Sequence, residues 1–267
     1  MERRELLAAD LPLGATPIDT GEFFLGTVAV TPVFFESAGS IDPSTEDWDA
    51  NEIDATLDKI DESLSWWDTL LASQTDKHTL DFVVDDTWAL DPVETGYEPI
   101  ENVSSTFQSY VGQWLIGMGY GDAPSIERAM HLFNDSQRQK HEPDWAFTIF
   151  VVDSSQSEDD GDGFFPAGDF RGAFAFAGGL FVVVPSERPT YTYAHEIGHI
   201  FWARDEYTGA GNWSDRRGYY NAQNLNAVDG NPDPNFQQET SIMGGGVVAS
   251  AAFDAGVSPD STLALIG

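Results

Sequence analysis

The spacing of apolar residues predicts alternating strands and helices along the first third of the chain. Residues 27–35 are β-branched and aromatic, which predicts a strand, and Pro32 within it favours an edge position or a bulge. From Ile53 to Leu71, apolar residues recur at alternating intervals of four and three, which predicts an amphipathic helix with an acidic outer face. A short strand is expected over residues 79–84.

The middle of the chain predicts a loop, two helices and a buried strand. Residues 85–102 carry Pro and Gly and are expected to form a loop. Apolar residues between 107 and 118 mark one helix, closed by Gly119, and a second helix begins at Pro124 and runs towards residue 140. Residues 145–152 are nearly all apolar and predict a buried strand.

The following segment predicts an acidic loop, a hairpin and a helix. Residues 153–169 are rich in Asp, Ser and Gly, as expected of an exposed loop. Two β-like runs, 170–177 and 180–184, flank Gly178 and Gly179, which is typical of a hairpin. A helix is expected to start near Tyr191, after Pro189.

The order of these elements predicts one α/β (α+β) domain with a mixed sheet over residues 1–267. After Tyr207 the chain is rich in Gly, Asn and Pro as far as Met243, which predicts a long ordered loop region. The N-terminal segment of about 20 residues is expected to be extended. The apolar ending at residues 263–267 suggests a chain truncated from a longer one.

The composition favours a compact protein with a large core and restricts its metal chemistry. The chain is 41% hydrophobic and carries 18 Phe, 8 Trp and 8 Tyr, which is not typical of a disordered sequence. No apolar run reaches the roughly 20 residues that a membrane span needs. There is no Cys, so a zinc ion would have to be held by His and carboxylate ligands.

The chain is strongly acidic, with a net charge of −33 from 45 acidic and 12 basic residues. Nucleic acid binding is therefore disfavoured, because phosphates would be repelled. Acidic residues are spread along the whole chain and Lys is nearly absent, which resembles proteins adapted to high salt. An ordinary acidic secreted protein is an equally good interpretation, and we expect an extracellular or cell-surface location.

The run His195-Glu196-Ile197-Gly198-His199 carries the clearest chemical signal. Residues four apart share one face of a helix, so both imidazoles can bind one metal ion while Glu196 lies beside them. Zinc lowers the pKa of a bound water to about 7, and Glu196 is predicted to accept its proton as general base in peptide hydrolysis. Accidental matches in a chain of this composition are expected on the order of 0.006 times. The alternative is a core helix with unmetallated histidines.

A zinc site needs a third protein ligand, and Asp205 stands six residues after His199. This spacing resembles the long motif of the metzincin metallopeptidases, in which many members carry a third His at this position. Asp205-Glu206-Tyr207 also resembles the segment that follows the motif in IgA-peptidase-type bacterial metallopeptidases, and Ser241-Ile242-Met243-Gly244 resembles their Met-turn. The resemblance implies that Asp205, rather than Glu206, is the third ligand.

The resemblance further implies a zincin-like fold, with a twisted mixed sheet, an active-site helix and a Met-turn at Met243. The edge strand would bind an extended peptide by strand addition, through the residues Ala173, Phe174, Ala175 and Phe176. Two positions depart from the family pattern. Trp202 replaces the usual Gly after the helix, and no Tyr follows Met243 within two residues, with Tyr219 and Tyr220 as weak substitutes.

Other groups give weaker signals. Carboxylates in the acidic loop, among them Asp153, Asp160 and Asp162, suggest a calcium site, although the spacing matches no EF-hand and a solvated loop is the stronger interpretation. The remaining histidines outside the motif are isolated, and we interpret them as surface or core residues: His78, His131 and His141.

Three hypotheses of function remain at this stage. A secreted zinc endopeptidase acting on protein or peptide substrates is favoured. The others are a non-catalytic zinc-binding surface or adhesion module and a cell-associated peptidase that processes one partner. Glu196 separates the enzymes from the module, because a structural zinc site needs no general base.

Overall fold

A six-stranded mixed sheet forms the centre of the structure. The structure is a computed structural model that describes residues 19–155, 163–166 and 170–267. Its strands, in chain order, are β1 (Gly26–Ser37), β2 (Leu80–Val84), β3 (Asp91–Thr95), β4 (Trp145–Val152), β5 (Phe174–Phe176) and β6 (Phe181–Pro185). They lie in the order β2-β1-β4-β6-β5, and β3 also pairs with β1. Only β5 runs antiparallel to its neighbour among these pairs. The predicted α/β class with a mixed sheet is confirmed.

Helices cover both faces of this sheet. They are α1 (Ala50–Gln74), α2 (Thr87–Leu90), α3 (Phe107–Gly117), α4 (Ile126–His141), α5 (Thr190–Ile200), α6 (Gly246–Ala255) and α7 (Asp260–Ile266). Apolar side chains of α1 and α5 pack with Phe147, Ile149 and Val151 in one core. Side chains of α3 and α4 pack with Phe150 and Val152 in a second core. Successive side chains of β4 point to opposite faces of the sheet, so β4 contributes to both cores.

Local signals define the boundaries of the long helices well. Asp49 caps α1 by accepting bonds from the backbone N–H of Asn51 and Glu52, and the Glu52 side chain accepts one from Asp49 N–H in return. The predicted helix over 53–71 is thus confirmed and extended at both ends. Gly119 adopts φ +88° just after α3, as expected of a helix-closing glycine.

The interpretation of Pro32 as a mark of an edge strand is wrong. β1 lies inside the sheet, and Pro32 pairs with Ile149 of β4 on one side. On the other side, the pairing with β2 ends at Val30 and the pairing with β3 begins at Phe35. Pro32 lies where β1 changes partner, which is a position that a residue without N–H tolerates.

The expected loop over 85–102 contains a short helix and a strand. α2 is followed at once by β3, which pairs in parallel with the C-terminal end of β1 through residues 35–37. Two turns of 3₁₀-helix, Pro99–Glu101 and Ser104–Thr106, then lead into α3. The composition of this segment is typical of a loop. β3 forms within it because it pairs with β1, which lies more than 50 residues earlier in the sequence.

The glycine-centred hairpin and the helix after it are confirmed. β5 and β6 pair in antiparallel register, and Gly178 and Gly179 between them adopt φ +83° and +69°. α5 follows β6 and begins at Thr190, one residue before the expected start. Backbone N–H groups of both glycines donate to the carbonyl of Ile200, so the hairpin turn satisfies the C-terminal end of α5.

The segment after Tyr207 is mostly irregular, as predicted, but contains a two-stranded ribbon. Its strands are β7 (Arg216–Arg217) and β8 (Ala222–Gln223). Two helices that the sequence did not predict, α6 and α7, follow the Met243 turn and complete the chain. Across the described ranges, every helix is too short or too polar to cross a bilayer.

Candidate metal centre

The two motif histidines lie on one face of α5, and each is held by a backbone carbonyl. His195 Nδ1 lies 2.8 Å from the carbonyl oxygen of Ile242, and His199 Nδ1 lies 2.8 Å from that of Ala203. A carbonyl only accepts, so Nδ1 must be the protonated nitrogen in both rings. In the neutral rings this leaves Nε2 with a free lone pair, which is the form that binds a metal ion.

Asp205 faces both free nitrogens. Its Oδ1 is 3.1 Å from His195 Nε2 and 3.4 Å from His199 Nε2. In a tetrahedral site with ligand distances of 2.0–2.1 Å, ligand atoms are separated by about 3.4 Å. In the described part of the chain, this is the one group of His, Cys, Asp or Glu side chains whose ligand atoms lie within 4.8 Å of one another. The three residues therefore fit a metal ion.

The chain reverses after α5 through a bend at Trp202. Its φ is +80°, and the N–H of Ala203 donates to the carbonyl of Gly198, which makes a Schellman-type helix end. A bulky residue in this conformation costs about 1–2 kcal/mol. The indole packs against Gly178, where an added Cβ would lie 3.0 Å from it, and this packing offsets the cost. Trp202 therefore adopts a conformation in which Gly is more usual, and the bend places the Ala203 carbonyl beside His199.

Met243 packs against α5 at Gly198, between the two motif histidines. It is fully buried, and its Sδ would be 2.8 Å from a Cβ built on Gly198. Trp67 approaches the same position, and its indole N–H donates to Ala194 O in α5. Gly198 is therefore required for close packing, because a larger residue would push the helix away from the turn. The same turn supplies the Ile242 carbonyl that holds His195.

Glu196 is buried near the two histidines, and one of its carboxylate oxygens is unpaired among the described residues. The residue is 6% exposed, and its Oε2 has no hydrogen-bond partner among the described residues. Burial raises the pKa of Glu196, and the neighbouring charges of His199 and His195 lower it. A buried carboxylate oxygen without a donor is costly unless a water or ligand occupies the space beside it, so the site is suited to a water molecule at this oxygen.

The electrostatic coupling of the three ligands is strong. Burial alone would lower the pKa of His199, but the hydrogen bond and charge of Asp205 outweigh it and raise this pKa to about 9. Burial acts in the opposite direction on Asp205, and the two imidazoles hold the pKa of its carboxyl far below its usual range. Asp205 is therefore an anion at neutral pH, and a metal ion that binds here would displace the proton that these charges favour on His199.

Glu206 points away from the metal ligands into a buried polar network. Its carboxylate is fully buried and accepts hydrogen bonds from the Thr262 hydroxyl of α7 and from Asn226 Nδ2. Its backbone N–H donates to Met243 O at 3.0 Å. Glu206 thus ties together the segment that carries Asp205, the Met243 turn and the C-terminal helix.

Tyr207 lies beside His195, and no role at the site was predicted for it from the sequence. The ring centroids of Tyr207 and His195 are 6.4 Å apart. Burial and the charge of Asp205 raise the pKa of Tyr207 to about 12. Tyr219 and Tyr220 instead pack against Phe23. The only sign in the sequence that Tyr207 could lie near the ligands is its position two residues after Asp205.

The predicted peptide-binding strand lies at an edge of the sheet. β5 is the last strand in the sheet order, next to β6, so its outer backbone is not paired within the described sheet. Ala173 and Ala175 pack towards the core that contains α5, while Phe174 and Phe176 pack towards α3. The phenylalanine side chains thus pack in the core, and the outer backbone edge of β5 has no partner strand in the described sheet.

Of the residues suggested for calcium, Asp160 and Asp162 lie outside the described residues. Asp153 is buried at the end of β4, where its Oδ1 accepts a bond from Ser155 N–H. Of the isolated histidines, His141 pairs with Asp85 at 3.1 Å, away from the metal ligands.

Comparisons with known proteins do not assign the chain to a family. The sequence matches no protein-family model, and no curated protein matches it. Any function must therefore be argued from the geometry of the site.

Proposed function

We propose that this protein is a zinc-dependent endopeptidase whose metal is held by His195, His199 and Asp205. The observation that carries the proposal is the orientation of the donor atoms. The imidazoles of His195 and His199 are held at Nδ1, and their Nε2 atoms lie 3.1 and 3.4 Å from Asp205 Oδ1. These distances fit tetrahedral coordination of one metal ion. Three nitrogen and oxygen ligands without Cys are typical of catalytic zinc sites, in which the fourth position is left for water or substrate.

Glu196 distinguishes a catalytic site from a structural one. A bound zinc ion would supply a Lewis acid and an acidified water. Glu196 then accepts a proton at its unpaired Oε2 and returns it to the leaving amine. Burial raises the pKa of Glu196 above that of an exposed glutamate. A purely structural zinc module would have no use for this buried carboxylate.

The substrate in this proposal is an extended protein or peptide segment. The open backbone of β5 lies at the edge of the sheet, and β6 of the same hairpin leads directly into α5. Strand addition there would give main-chain hydrogen bonds that do not depend on sequence. The Met243 turn, the bend at Trp202 and the edge strand are the features that support a metzincin-like arrangement. A secreted or cell-surface location accompanies this proposal.

The test is to compare metal content and hydrolysis in the chain and in Glu196→Ala. Metal analysis and cleavage of denatured casein are measured on the same preparations. We expect Glu196→Ala to keep near-normal zinc stoichiometry while turnover falls by about 10²–10⁴-fold, which is the usual contribution of a general base.

The matched control is Glu62→Ala, which removes an exposed carboxylate from α1 and should change neither quantity. Unchanged hydrolysis in Glu196→Ala would remove Glu196 from the mechanism. Stoichiometric zinc without hydrolysis in the unsubstituted chain would favour the non-catalytic binding module.

A further inference from the structure

Three carboxylates are buried at the edge of the sheet where its parallel strands end. Asp153 follows β4 directly, Glu98 lies three residues after β3, and Glu46 lies in the loop after β1. Each of the three residues is only 1% exposed. Because β3 and β4 both pair in parallel with β1, the carboxyl ends of these strands meet at one edge, which is the usual place of ligand sites in open α/β sheets.

Hydrogen bonds connect the three residues into one cluster. The backbone N–H of Glu46 donates to Glu98 Oε2 at 3.2 Å, and the Ser155 hydroxyl lies 3.5 Å from Glu46 Oε2. The backbone N–H of the same serine donates to Asp153 Oδ1 at 3.0 Å. Burial is the main cause of the raised pKa of Glu98, and the charge of Asp153 raises this pKa further. The two carboxylates are therefore close enough to repel each other.

Two carboxylate oxygens in this cluster are buried without a hydrogen-bond donor. They are Glu98 Oε1 and Asp153 Oδ2, which have no partner among the described residues. The other oxygen of each carboxylate accepts bonds from backbone N–H groups or from the Ser186 hydroxyl, and not from Lys or Arg in the described part of the chain. Buried carboxylates are normally paired with a positive charge or bound to a metal ion, so these two oxygens are suited to a cation.

We propose that this cluster is a calcium site, in which Glu98 Oε1 and Asp153 Oδ2 bind the ion and Glu46 supplies a third negative charge nearby. The donors are all oxygen atoms, which calcium prefers. In the described residues only the His195 group has its ligand atoms within 4.8 Å of one another, so the three carboxylates are more widely spaced. Calcium binds 6–8 oxygens at about 2.3–2.6 Å, so oxygens on opposite sides of the ion lie about 5 Å apart. This spacing favours calcium over zinc or magnesium, whose ligand distances are shorter.

A cavity next to the cluster provides room for water and a path for the ion. Its volume is about 180 Å³, and Ser155 and Ser186 are among the residues that line it. Both serines bond to Asp153 Oδ1. Lys59 also lines the cavity, but its amine donates to the Ser186 carbonyl at 2.7 Å. The cavity can hold several water molecules, which calcium commonly keeps as ligands.

The experiment removes one charge from each proposed ligand. Glu98→Gln keeps an acceptor for the N–H groups of Thr45 and Glu46, and Asp153→Asn keeps one for the N–H of Ser155. Calcium binding to the full chain is measured by equilibrium dialysis in about 1 M NaCl, where the screening length of about 3 Å suppresses diffuse binding to the acidic surface. We expect one bound ion with a Kd of about 10⁻⁴–10⁻³ M, as in weak calcium modules, and an affinity that falls more than about 10-fold in each variant.

Two control variants test whether the binding belongs to this cluster. Glu62→Gln makes the same change of charge at an exposed position of α1 and should keep the calcium affinity of the parent. Asp205→Ala removes a proposed zinc ligand and should keep it as well, because the two sites share no residue. Calcium binding that is lost in Asp205→Ala and kept in Glu98→Gln would place the ion at the other centre and overturn the inference.

Melting temperatures separate calcium binding from a purely structural role of Glu98. Calcium should raise the melting temperature of the parent above that in NaCl of equal ionic strength, and should not do so in Glu98→Gln. In a chelator, Glu98→Gln should melt no lower than the parent, because it removes a buried like charge. A variant that melts lower in both solutions and still binds calcium would overturn the inference, and so would a parent that binds no calcium. A chain that binds calcium here but does not cleave peptides would support the inference and refute the proposed function.

Discussion

Asp205 and Glu206 are adjacent acidic residues in different surroundings, and we predict that replacing each by Ala has a different effect. Asp205 places Oδ1 3.1 Å from His195 Nε2, whereas Glu206 binds Thr262 and Asn226 in the interior. We therefore expect Asp205→Ala to weaken metal binding and Glu206→Ala to weaken the fold.

The magnitudes follow from what each carboxylate contacts. Loss of a group outside the ligand shell typically weakens metal affinity by about 10–100-fold. Loss of one of three protein ligands should weaken zinc affinity by more than this. Removing Glu206 leaves the Thr262 hydroxyl and the Asn226 amide without this acceptor, at about 1–3 kcal/mol for each buried donor. The combined loss of about 2–6 kcal/mol corresponds to a fall in melting temperature of roughly 4–24 °C in a protein of this size.

Zinc titration against a competing chelator and thermal unfolding of the metal-free protein measure the two effects separately. The titration is done well below the melting temperature of Glu206→Ala, so that the folded form is compared. The reverse pattern, with strong loss of zinc in Glu206→Ala and little in Asp205→Ala, would refute the assignment. The third ligand would then have to be Glu206, and the bend after α5 would have to differ from the one described.

Two further predictions concern charge. Because the net charge is −33, the melting temperature should rise steeply between low and molar salt, where the screening length falls to about 3 Å, and a flat response would reject adaptation to high salt. Although burial pushes the pKa of Asp85 up, bonds from Lys140, Thr87 and His141 outweigh it and hold that pKa well below its usual range. Its stabilising effect should be present above the unfolded pKa of about 3.9 and lost as the pH falls through the folded pKa. Asp85→Asn should therefore lower the free energy of unfolding at pH 7, measured in urea. In strong acid the free energies of unfolding of the variant and the parent should converge. An equal difference at both pH values would contradict the ion pair.

Local patterns predicted the elements that depend on local chemistry. The limits of β4 and the amphipathic character of α1 follow from residue type and spacing, because side-chain period reports directly which faces are buried. The same rule puts His195 and His199 on one face of α5, whatever surrounds that helix. The hairpin between β5 and β6 could be predicted because two glycines mark its turn.

Other elements depended on distant partners. β3 became a strand by pairing with the end of β1, and Pro32 is accommodated inside the sheet because β1 changes partner there. The sequence around β3 has the composition of a loop, and a proline within a strand is more typical of an edge strand. Strand formation depends on cross-strand packing more than on intrinsic preference, so the sequence of one segment could not reveal it.

The sequence by itself determined which residues could form the candidate centre: two histidines four apart, the glutamate between them and an aspartate six residues further on. Only the tertiary structure decided how they are held. The carbonyl that orients His195 belongs to Ile242, 47 residues away, and Met243 packs behind the helix from the same turn. A backbone carbonyl is present in every residue and leaves no mark in the sequence, so its place at the site is determined only when the chain has folded.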